Sequence, residues 1–183
     1  MLISRELRER NIAEYLLYMW QVEDMIRAAR FDEGRLFSVV LASDQPEEVK
    51  KEWCQWYSDL IAMMTTEGVR EKGHLQINNN ILILLEDLHA RLMASSKCPE
   101  YHEAYYRVLP VIVEFRQKGG QASKNELENS FDLLYGVWML RLRRAEVSAG
   151  TADAAAQVSS FLARLAELYG KDRAGQLVLN DED

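Results

Sequence analysis

Apolar residues recur every three or four positions along almost the whole chain, and that period predicts helices. Ile12, Tyr15, Leu16, Met19, Val22 and Ile26 form one such stripe. It predicts a first helix from about Arg5 to Arg30, with Ser4 placed to cap it. A short helix is expected over Asp32 to Leu41. "SDQPEEV" then reads as a helix start. Asp44 can cap, Pro46 suits the first turn, and Glu47 and Glu48 favour the positive end of the dipole. Val49, Trp53, Trp56, Leu60 and Met63 share one face of that helix, which should stop between Gly68 and Gly73.

The next helix is expected from His74 to Ala94, with Ile77, Ile81, Leu84, Leu85, Leu88 and Leu92 facing the core. Pro99 opens another, running to about Gln117 with Tyr101, Tyr105, Val108, Leu109 and Ile112 on its apolar face and a kink at Pro110. "KGGQAS" is the clearest break, and Ser123 with Glu126 fits a capping box. "FDLLYGVWMLRL" (Phe131 to Leu142) is apolar almost all round, which predicts a central helix near 125–146, contacted on several sides. Gly136 weakens that helix, and a close helix crossing would explain it. Thr151 to Tyr169 forms the last helix, stopped by Gly170, and "KDRAGQLVLNDED" is a tail. The expected fold class is all-α: a single-domain bundle over 1–183 with six or seven helices.

The bulk numbers narrow the function classes. A chain of 183 residues can bury a core without staples. The net charge of −7 and pI near 5.1 disfavour nucleic acid, whose phosphates need compensating cations. Cys54 and Cys98 match no metal or redox spacing, so free thiols in a reducing cytoplasm are expected. The N-terminus turns charged at once, which argues against a signal peptide. The longest apolar run, "ILILL", is far below the ~20 residues of a membrane span.

Candidate chemistry concentrates in "EGVREKGHLQINNNILILLEDLHARLM" (67–93), which holds Glu-x-x-His twice, Glu71–His74 and Glu86–His89. Residues three apart share a helix face, so such a pair can reach one ion. Two such pairs on different helices mark di-iron bundles. Here Glu71 and Glu86 would lie roughly 22 Å apart on one helix at 1.5 Å per residue, so they cannot share a centre. Gly73 also interrupts the first pair. What remains is a mononuclear site using Glu86 and His89 with an acid from another helix. His74 reads as a helix-junction residue.

Asn78 and Asn80 are expected at the two edges of the apolar arc, with Asn79 facing water. Glu23 lies in mid-helix inside a strong apolar stripe, and a buried carboxyl needs a partner. An arginine, Arg116 or Arg141, could supply it, as could polar edges of other helices such as Asn78 or His89. Trp20 sits off the centre of its stripe and is expected to be partly exposed. "RLRR" (141–144) reads as a solvated basic cluster at a helix C-terminus. The chain carries no nucleophile elbow, phosphate-cradling glycine loop, H-E-x-x-H or Cys–His constellation.

"NIAEYLLYMWQVEDMIRA", "DQPEEV", "EGVREKGHLQIN", "YYRVLPVIVEFR" and "FDLLYGVWMLRLRRAEVS" together resemble an uncharacterised bacterial family of helical domains of unknown function. The resemblance spans nearly the whole chain. It implies a stand-alone cytosolic bacterial protein and assigns no activity, cofactor or catalytic residue. Two function classes follow. The favoured one is a cytosolic helical binding or protein-interaction module forming a homo-oligomer, with Glu23, Asn78, Glu86 and His89 as candidate ligand-binding residues. The rival is a metal- or small-ligand-binding helical-bundle enzyme using Glu23, Glu86 and His89. Neither names a cofactor, and neither includes a nucleic-acid or membrane partner.

Overall fold

The structure, a computed structural model, describes residues 2–119 and 124–179. Among the described residues there are eight helices and no strand. They are α1 (Leu2–Arg10), α2 (Ile12–Ala28), α3 (Glu33–Leu41), α4 (Glu47–Thr66), α5 (Gln76–Ala94), α6 (Pro99–Gly119), α7 (Glu126–Leu142) and α8 (Ala149–Arg173). The all-helical class agrees with the sequence reading, but the count is eight rather than six or seven. The extra helix comes from Asn11. Its backbone is extended (φ −154°, ψ 101°), and its side chain accepts from the N–H groups of Ala13 and Glu14. An asparagine that satisfies the orphan donors of a new helix start divides the expected first helix in two. No helix among the described residues is long and apolar enough to cross a membrane.

The chain forms two compact units, Met1–Ile81 and Leu82–Asp183. In the first, α1 packs on α2, α3 on α4, and α2 on α4. The α2 stripe is buried as its spacing predicts, with Leu16 and Ile26 fully enclosed. Trp20 is buried too, against the expectation of partial exposure. On α4 the buried residues are Tyr57, Leu60 and Met64, so Trp53 and Trp56 are only half-buried. Pro46 stands just before α4 and no side chain caps that end, so Asp44 does not act as the cap.

In the second unit α6, α7 and α8 pack against one another. Tyr101, Val108, Ile112, Phe131, Leu133, Val158, Phe161, Leu162 and Leu165 form its core. The central position expected for α7 holds for only part of it. Leu127, Phe131, Leu133 and Val137 are buried, but Gly136 and Leu140 are exposed. A Cβ built on Gly136 meets nothing within 4 Å, so no close helix crossing explains this glycine.

Ser123 lies outside the described residues. The capping box of α7 is formed one turn-start later, by Asn125 and Glu128. Glu126 instead accepts from Arg116 at 2.9 Å. α8 passes through Gly170, which does not stop it. On α5 the buried face is Asn78, Ile81, Leu82, Leu85, Leu88 and Leu92. Ile77 (40%) and Leu84 (52%), expected in the core, are exposed. The true face is rotated by about one residue, which carries Asn78 inward.

Candidate functional site

Glu23 is 0% exposed, and three groups from the chain around the start of α5 meet its carboxyl. Oε1 accepts from the Leu75 N–H at 3.0 Å and from Asn78 Nδ2 at 2.6 Å. Oε2 lies 2.6 Å from His74 Nδ1. These partners take the place of the arginine that was the alternative expectation. The placement is physically favourable, because the start of a helix offers orphan N–H donors and a positive dipole end. His74 stacks on Trp20, with ring centroids 4.2 Å apart and an interplanar angle of 13°. Asn79, expected in water, is half-buried and donates to the His74 carbonyl.

One turn further along α2, Arg27 does the opposite job. Its guanidinium donates to the carbonyls of Val69 and Gly73 and pairs with Asp24 at 2.8 Å. Gly73 sits at φ +86°, a left-handed conformation that favours glycine. α2 thus presents a carboxyl and a guanidinium four residues apart to the α4–α5 connection. The carboxyl meets its donors and the guanidinium meets its acceptors.

The Glu86–His89 pair divides. Asn125 Nδ2, at the cap of α7, donates to Glu86 Oε1 at 2.5 Å. His89 Nδ1 shares a hydrogen bond of 2.6 Å with the Tyr101 hydroxyl. Tyr105 and Phe161 approach the His89 ring edge-on, at centroid distances of 4.8 and 6.2 Å. Burial pushes the His89 pKa down, and Glu126 opposes part of that shift. Burial also pushes the Tyr101 phenol up. Both groups of the pair are therefore held neutral near pH 7. Among the described residues no three His, Cys, Asp or Glu side chains are grouped to hold a metal ion.

The structure therefore brings Glu23 and Asn78 together, and gives Glu86 and His89 separate partners. Each of the four has at least one hydrogen-bond partner within the chain, while Asn78 Oδ1 is buried without one. A different feature has room for another molecule. α6, α7 and α8 surround a cavity of about 790 Å³, which falls in the range of about 300–1,000 Å³ usual for small-molecule sites. Val111 and Phe115 of α6, Leu133, Val137 and Leu140 of α7, and Ala154 of α8 give it an apolar wall. Gly136 and Gly150 line it as well, and a Cβ on either would meet nothing within 4 Å.

Periodicity could not find this cavity, because it arises where three helices fail to close. The one signal was Gly136, a helix-weakening residue inside the most apolar segment of the chain. A family model described as a domain of unknown function (DUF4924) matches residues 1–176. No curated protein and no solved structure matches the chain.

Proposed function

The chain belongs to the DUF4924 family, and from that premise we propose that it is a non-catalytic binding protein whose ligand site is the α6–α7–α8 cavity. The observation that carries this reading is the open, apolar wall at Gly136. Glycine in a helix interior costs about 1 kcal/mol relative to alanine. Here neither a left-handed backbone nor a packed neighbour calls for it. Gly136 lines the cavity, so a side chain at this position would take up room that a ligand could use. Nile red, a neutral dye, tests the reading. It should bind saturably and brighten, and Gly136→Leu should abolish the response while circular dichroism stays unchanged. Dye binding unaffected by Gly136→Leu would refute the cavity as the site.

The same reading places the protein in a bacterial cytoplasm as a homo-oligomer. Self-association has its own support in the exposed apolar side chains Ile83 (56%) and Leu84 (52%) of α5. Monomeric proteins expose few contiguous apolar patches. Light scattering should give a mass above the 21.2 kDa of one chain. A strict monomer at high concentration would end that part of the proposal.

A further inference from the structure

The charged groups at the cavity wall are unequal in what they have left to offer. Lys118 and Glu114 are paired at 2.5 Å, so each largely cancels the other. Asp153 accepts from Gln157 at 2.8 Å. Arg143, which also lines the cavity, makes no hydrogen bond or ion pair through its guanidinium among the described residues. The helix dipole favours a cation in the last turn of α7, but Arg141 already meets that preference. Arg143 adds a second cation, and this one borders the cavity. α8 begins at the same wall, with Ser148 capping it and Gly150 in its first turn. The positive end of its dipole therefore has the same sign as Arg143.

We infer that the cavity binds an amphipathic monoanion, an alkyl chain ending in a carboxylate, with the chain against the apolar wall and the carboxylate at Arg143. The inference rests on the cavity being the binding site and adds the class of ligand. An apolar body is required because Val111, Phe115, Leu133, Val137 and Leu140 offer it no hydrogen-bond partner. A guanidinium suits a carboxylate because its planar fork donates two parallel bonds. Asp153 also lines the cavity, and its carboxylate would repel a dianion such as a phosphate monoester more strongly than a monoanion. The acid Glu114 does not oppose a single negative charge, because Lys118 is already bound to it.

Displacement of Nile red from the full chain tests the class separately from the site. Decanoate should displace the dye at concentrations at least tenfold lower than decanol. Decyltrimethylammonium should be the weakest competitor. Arg143→Gln should bring decanoate and decanol to within about twofold of each other, at tenfold per 1.4 kcal/mol, each read against that variant's own dye affinity. Raising salt should weaken decanoate and leave decanol alone. Decanol competing as well as decanoate against the wild-type protein would overturn the ligand class and leave the cavity reading intact. Retention of the decanoate preference in Arg143→Gln would overturn the role of Arg143. Dye that fails to bind, or binds equally to Gly136→Leu, would remove the site and the class with it.

Discussion

Glu23 and Glu86 are both glutamates on helices, and each serves the start of another stretch of helix, yet they do so in different ways. Glu23 is fully enclosed and receives the Leu75 N–H, the Asn78 amide and His74 together. Glu86 is half-buried and holds one partner, the cap residue Asn125. The histidines differ in the same sense. His74 joins its glutamate directly, whereas His89, three residues from Glu86, turns to a phenol among aromatic rings. Spacing along a helix places two side chains on one face, but the groups packed opposite decide whether they share a partner. The true Glu–His contact in this protein spans 51 positions of sequence and follows no local motif.

The largest effect should come from breaking the more enclosed cluster. Glu23→Ala leaves a buried amide, a backbone N–H and an imidazole without their acceptor. A loss on the order of 3–5 kcal/mol is expected, as for a buried polar pair deprived of one member. Glu23→Gln should lose less, since it keeps one carbonyl acceptor. Urea unfolding measures both, and a loss under about 1 kcal/mol for Glu23→Ala would mean that the cluster does not hold α5 in place.

Next in size is the Glu86 side of the comparison. Asn125→Ala removes both the cap of α7 and the donor to Glu86, and should cost about 1 kcal/mol, within the usual range for a lost cap. Glu86→Gln should cost less than that, because the cap itself remains. The reverse order would show that Glu86, rather than Asn125, carries the interaction.

His89 gives the smallest and most specific effect, visible only against pH. Its pKa in the folded protein lies below the ordinary value of 6.5. The unfolded chain therefore binds the extra proton first. Stability is complete above pH 6.5 and declines as pH falls from there to the folded pKa, below which the contribution is lost. Melting temperatures of wild type and His89→Phe should diverge in slope below pH 6.5, with the variant flatter. Parallel slopes would show that the aromatic surroundings do not disfavour the charged imidazole.

Much of this fold was legible because amphipathic spacing survives in the sequence. The α2 stripe, the start of α6 at Pro99 and the break before α7 can be read directly. Asn11 was missed because an asparagine between Arg10 and the first stripe residue, Ile12, breaks no apolar pattern, although it supplies its own cap. The α5 face was misplaced by one residue because Ile77 is more apolar than Asn78. The hydrogen bond to Glu23 outweighed hydrophobicity there. Glu23 itself was legible as a buried carboxyl needing a partner, and Asn78 was named among those partners. His74 as its neighbour was not, since only the folded connection brings them together. The cavity lies furthest from what a sequence shows, because empty space is a property of three helices at once.

The paired grip of Glu23 and Arg27 has a consequence for proteolysis. Arg70 and Lys72, both exposed, offer trypsin two sites in the α4–α5 connection. A protease needs several residues in an extended run, and the carbonyls of Val69 and Gly73 are tied to Arg27 on either side of those sites. Cutting there requires the connection to leave α2 first, so the rate of the cut reports how often that local opening occurs.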